Sequence, residues 1–198
     1  MTWKHHNLHG VTSLPVIKPV EKSMNENQST LQPIATPEVP IHPKTRIGHV
    51  HLKVADLQRS LDFYCGVLGF QLVQRFGSGA AFVAAGGYHH HIGLNTWESG
   101  SGSPPPPGTT GLYHIAILYP TRGALADALQ RLMKAGINLE GASDHGVSEA
   151  LYLRDPDDNG VELYWDKPQD VWPQTADGRL NMHTQPLDLA NLLSEPPV

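Results

Sequence analysis

Apolar and polar positions alternate along IGHVHLKV, from Ile47 to Val54: Val50, Leu52 and Val54 share one face, and His49 and His51 the other, which predicts a strand. Asp56 is a natural N-cap. Leu57, Leu61, Tyr64 and Leu68 follow at helical spacing up to a stop at Gly69. Three strand-like runs come next, Phe70 to Gln74, Ala80 to Ala84 and His89 to Thr96, so the first module reads β-α-β-β-β. Beyond the linker ESGSGSPPPPGTTG the same order returns. Leu112 to Tyr119 is a strand, and Leu125, Ala128, Leu129, Leu132 and Met133 mark a helix ending at Gly136. A run at Ile137 to Leu139 precedes the stretch HGVSEALYLRDPDDNGVELYWD, in which Ala150 to Leu153 and Val161 to Trp165 form a hairpin around a Gly/Pro/Asp/Asn turn.

The halves superpose as an internal repeat. His49 and His114 recur at nearly the same interval as the helix-ending Gly69 and Gly136, and the last strands align HIGL with VELY, which makes Gly93 the counterpart of Glu162. A unit of this kind needs its partner to bury its sheet. The fold class is therefore α+β, two βαβββ modules in one domain over residues 46–172, with module one at 46–97, a linker at 98–110 and module two at 111–172. A Pro-rich N-terminal arm, 1–45, and a C-terminal tail, 173–198, flank it. The tail offers one short helical candidate, Leu187 to Leu193, and is expected to pack over the domain or against a second subunit.

Composition narrows the function. The 198 residues carry a formal net charge of -5 with no basic stripe, which argues against a nucleic-acid partner. The single cysteine, Cys65, excludes a disulfide framework and a cysteine-based zinc site, and its apolar neighbours read as helix core. No run reaches membrane-spanning length and the N-terminus has no continuous apolar region, so a cytoplasmic protein with no membrane partner is expected. Histidine is the outlier of the composition, with 12 residues.

Glu162 lies among Val161, Leu163, Tyr164 and Trp165. Buried there it needs a cation or a strong hydrogen-bond partner; on an edge strand it would face water. His49 or His114 alone reads as an ordinary half-buried strand histidine. Two histidines at matching repeat positions, with one carboxylate in the later hairpin, supply the donor set of a 2-His-1-carboxylate facial triad. His51 shares the face of His49 but has Ala116 as its counterpart.

GHVHLKVADL, YHHHIGLNTW, GLYHIAIL and HGVSEALYLRDPDDNGVELYW together resemble the vicinal oxygen chelate superfamily, and within it the type I extradiol catechol dioxygenases, over residues 46–172. The single pair of modules resembles their one-domain type. The resemblance implies a U-shaped mixed sheet around a metal cavity, with His49, His114 and Glu162 as ligands of Fe(II), or less often Mn(II). It makes His90, three residues ahead of Gly93, the acid-base residue, and His145 and Tyr152 hydrogen-bond partners of the substrate. The implied substrates are an aromatic diol and O2, the implied product is a ring-opened hydroxymuconic semialdehyde, and the implied assembly is a homo-oligomer. Gly93 stands where glyoxalase I needs a further glutamate. A thiol transferase or other oxygen-independent metal enzyme uses the same ligand types, and a metal-free drug-binding module shares the fold. The Pro-rich linker lets the modules pair within one chain or between subunits.

Overall fold

A computed structural model describes residues 39–196, so most of the N-terminal arm lies outside the described residues. β1 (Val50–Lys53) turns Leu52 into the core and His51 to solvent. Asp56 caps α1 (Leu57–Leu61) by accepting the Arg59 N–H at 2.9 Å. The predicted helix to Leu68 continues as a wider π-helical turn, Asp62–Val67, which carries Phe63 and Tyr64 into the core and leaves Cys65 half-buried. It stops at Gly69, whose φ of 87° favours glycine. β2 (Gln71–Phe76), β3 (Ala80–Ala84) and β4 (Ile92–Asn95) complete a sheet in the order β1-β4-β3-β2.

The strand expected from His89 begins only at Ile92. Gly86 is left-handed, at φ 61°, and residues 85–91 form a turn in which the rings of Tyr88, His89, His90 and His91 lie against one another.

The second module repeats the plan with β5 (Ile115–Leu118), α2 (Arg122–Lys134) capped by Thr121, β6 (Gly141–Asp144), β7 (Ser148–Arg154) and β8 (Gly160–Asp166). Ile137 to Leu139 is not a strand. The Ile137 N–H returns to the Leu132 carbonyl at 2.9 Å and closes the helix, so both apolar side chains pack against the core from the helix exit. The polar segment Gly141–Asp144 takes the ladder position instead. It succeeds there because it lies toward the sheet edge, half-buried between β7 and β9 (Gln185–Pro186). The sheet order is β5-β8-β7-β6-β9.

Register confirms the repeat. β1 pairs with β4 in parallel with His51 opposite Gly93, and β5 pairs with β8 in parallel with Ala116 opposite Glu162. A large residue faces a small one in both, with the order exchanged. In module one the His51 ring occupies the space, 3.0 Å from where a Cβ on Gly93 would stand. In module two Ala116 leaves the space to Glu162.

One hydrophobic cluster joins Leu52, Leu61 and Leu94 of module one to Leu129, Leu151 and Leu163 of module two. It also takes in Leu192 of α3 (Leu189–Leu193), so the tail packs over its own chain. Arg122 holds the tail down, its guanidinium reaching Glu149 at 2.7 Å, Glu195 at 2.6 Å and Asn191 at 2.8 Å.

A polar latch fixes module one against the β7–β8 turn. The buried Asp157 carboxylate accepts from the Ala55 N–H at 2.9 Å, Arg59 at 2.6 Å and Ser60 at 3.3 Å. The Tyr64 hydroxyl donates to Asp155 at 2.9 Å, and burial followed by the Asp155 charge pushes its pKa far upward, so it remains a donor. Among the described residues no helix is long and apolar enough to cross a membrane.

Candidate metal centre

Glu162 has the partners its apolar strand requires. Its side chain is 13% exposed, one oxygen lies 3.0 Å from His114 Nε2, and the other accepts the Tyr152 hydroxyl proton at 3.0 Å. Fold alone brings these groups together: His114 immediately precedes β5, Glu162 stands on the neighbouring β8, and Tyr152 faces Glu162 across the β7–β8 ladder. Two donors each about 2.1 Å from one cation, at right angles to each other, lie about 3 Å apart. The His114–Glu162 edge thus fits two adjacent corners of an octahedral ion. His114 Nδ1 is enclosed and has no hydrogen-bond partner among the described residues.

His145, directly after β6, places Nε2 at 2.6 Å from the Tyr152 hydroxyl and Nδ1 at 3.0 Å from Thr184 Oγ1. Tyr152 has one proton and gives it to Glu162, so His145 Nε2 is the donor in its contact with Tyr152, while Nδ1 shares a hydrogen bond with Thr184. A hydrogen-bonded row joins Thr184, His145, Tyr152 and Glu162, directed from His145 Nε2 to the carboxylate. Burial first, and then the Glu162 charge, push the Tyr152 pKa upward, which keeps it protonated.

Thr184 has no signal in the sequence around it. It arrives because β9 pairs with β6, setting Gln185 opposite Asp144. Gly146 permits the approach: its φ is 76°, and a Cβ there would meet the His183 ring at 2.5 Å and Pro173 at 2.8 Å.

The remaining two candidates lie on the other sheet. His49, exposed just before β1, has its ring 4.3 Å from that of His90, which also packs 5.0 Å from Phe82. The Nδ1 atoms of His89 and His90 are 2.8 Å apart. Burial and then the neighbouring His49, His89, His51 and His91 push the His90 pKa below its ordinary 6.5. The six candidates therefore form two sets, His114, Glu162, Tyr152 and His145 in module two, and His49 and His90 in module one. Among the described residues no three His, Cys, Asp or Glu side chains are grouped to hold one metal ion.

Two βαβββ modules, with a histidine and a carboxylate meeting beside the parallel β5–β8 pair, define a class of small α+β proteins. The chain belongs to the Glyoxalase/Bleomycin resistance protein/Dioxygenase superfamily, whose pattern matches residues 46–163. It is 44% identical over 156 residues to the Catechol-2,3-dioxygenase of Bacillus subtilis (strain 168), a match covering 78% of this chain and 53% of that protein. It is 34% identical over 121 residues to Biphenyl-2,3-diol 1,2-dioxygenase 2 of Rhodococcus globerulus, covering 61% of this chain and 63% of that protein. The chain thus spans between about half and two thirds of the length of these relatives. Among solved structures, a glyoxalase/dioxygenase from Nostoc punctiforme shares the fold, with a TM-score of 0.54 and 20% identity over 68% of this chain and 100% of that one.

Proposed function

We propose that the chain is a metal-dependent extradiol dioxygenase that opens the ring of a catechol-type aromatic diol with O2, using Fe(II) or, less readily, Mn(II). The observation that carries this reading is the His114–Glu162 edge backed by the hydrogen-bonded row through Tyr152 and His145. The relatives named for ring-diol oxygenation support the substrate class. His49 is assigned as the third ligand. When bound, Fe(II) would supply Lewis acidity to a chelated diol and a route for electrons from ring to oxygen.

The chain's own residues handle protons and orientation. Tyr152 is a phenol that keeps its proton, which would turn from Glu162 to a diol oxygen bound beside it. His145, with Nε2–H directed at Tyr152, fixes the phenol's position. His90, with its lowered pKa, is neutral near pH 7 and suited to accept a phenolic proton and return it as the ring opens. Gly93 bears on the alternative of a glyoxalase-like fourth ligand, because the His51 ring fills the space that a glutamate there would enter.

The test is anaerobic loading with Fe(II), followed by oxygen-uptake measurements with catechol, 3-methylcatechol and 2,3-dihydroxybiphenyl. Oxygen consumption with a yellow ring-opened product is expected. Bound metal with no uptake on any of the three would overturn the dioxygenase reading in favour of an oxygen-independent enzyme.

A further inference from the structure

We propose that the turn at residues 85–91 forms a second metal site, in which His89 and His90 take a Cu(II) or Ni(II) ion through their Nδ1 atoms and His90 is thereby withdrawn from the reaction. Neighbouring side chains on a strand point to opposite faces, which would keep these two rings apart. The left-handed Gly86 turns the chain before β4 begins at Ile92, and the two Nδ1 atoms end 2.8 Å apart. Donors about 2.0 Å from one ion lie about 2.8 Å apart when set at right angles and about 3.3 Å apart when tetrahedral. The spacing therefore fits adjacent corners of a square-planar or tetragonal ion, as Cu(II) and Ni(II) provide, and not tetrahedral zinc. Iron(II) also offers right angles, but it stands below both in the order of affinity for such donors.

The pair is held ready before any ion arrives. The Tyr88 ring lies 4.2 Å from that of His89 and 4.8 Å from that of His91, and His90 packs against His49 and Phe82. His91 Nδ1 accepts the Ala85 N–H at 3.3 Å, and the His91 backbone is tied to Val83 and Val50 at 2.9 and 3.0 Å, so both ends of the turn are fixed. In the metal-free chain one Nδ1 donates its proton to the other. With both rings protonated at Nε2 instead, both Nδ1 lone pairs face the ion and no proton is lost. His89 is exposed, so an ion reaches the pair directly from solvent and keeps water at its other corners. The loss of activity rests on the role given to His90 above, whereas the binding rests on the turn alone.

Cu(II) titration followed by electron paramagnetic resonance tests the binding, with wild type set against His89→Phe, which keeps a ring beside Tyr88 and removes the nitrogen. The other histidines of the chain bind copper alike in both proteins and cancel. The wild type is expected to hold one more copper per chain, with hyperfine splitting from two nitrogens. Oxygen uptake by the Fe(II)-loaded protein under Ni(II), which does not itself oxidise diols, tests the consequence. Half-inhibition of the wild type should need at least about 10- to 100-fold less Ni(II) than that of His89→Phe, since losing a ligand costs no less than losing a partner behind one. Iron content by elemental analysis should stay constant, and the two proteins should turn over alike before Ni(II) is added. His89→Ala repeats both comparisons should the larger ring disturb the turn.

Equal copper binding and equal spectra for wild type and variant overturn the site. Equal inhibition by Ni(II), or inhibition accompanied by loss of iron, overturns its effect on His90. Iron-loaded protein that consumes no oxygen with any diol overturns the dioxygenase reading, and the copper comparison then still decides whether the site exists.

Discussion

At the scale of single residues, the row Thr184–His145–Tyr152–Glu162 works because His145 Nε2–H and the Tyr152 hydroxyl each give one proton onward and the Glu162 carboxylate accepts the last. Thr184→Val removes the hydroxyl that hydrogen-bonds His145 Nδ1. We expect kcat/KM to fall about three- to tenfold, the equivalent of one hydrogen bond, with Thr184→Ser restoring it and metal content unchanged throughout. His90→Asn or His90→Phe should leave the metal in place and lower turnover by about 10² to 10⁴, the usual loss of a general acid-base group; unchanged turnover would remove His90 from the chemistry. The need of Glu162 for partners was legible in the sequence because a carboxylate among Val161, Leu163 and Trp165 has no other way to stay folded inward. Thr184 was not legible, since nothing in MHTQP distinguishes a hydroxyl that meets an imidazole from one that meets water.

At the scale of elements, strands that combined alternation with turn punctuation were readable, and so were both helix stops. Elements set by pairing were harder to read. Gly141–Asp144 becomes β6 through its neighbours rather than its own β propensity, and the His89–His91 run resembles a strand until Gly86 turns the chain. The paired positions on β1 and β4 yield a measurable coupling. A methyl at position 93 would stand 3.0 Å from the His51 ring, so Gly93→Ala should cost about 1 kcal/mol and His51→Ala should remove most of that cost. A double-mutant cycle from urea unfolding checks it; additive effects would mean the two positions do not compete for space.

At the scale of the whole molecule, the sequence announced two modules, while their mutual placement depends on a turn that reads only as a hairpin connection. Asp155 and Asp157 of DPDDNG are turn formers in any sequence analysis, and only the folded chain shows them also serving α1. Asp157→Ala should destabilise the protein by about 2 kcal/mol, the loss of a buried acceptor tempered by the half-exposed Arg59. A lower urea midpoint at constant slope would show it, and an unchanged midpoint would exclude the latch. The exchanged small and large partners, His51 with Gly93 and Ala116 with Glu162, bear on descent as well as on packing. If both modules arose from one duplicated ancestor, passing between these states takes two substitutions whose order matters. Enlarging position 93 first crowds the sheet, whereas shrinking His51 first only opens a gap at its exposed face. A lineage acquiring a carboxylate on β4 must therefore lose its β1 histidine beforehand, which makes the route directional.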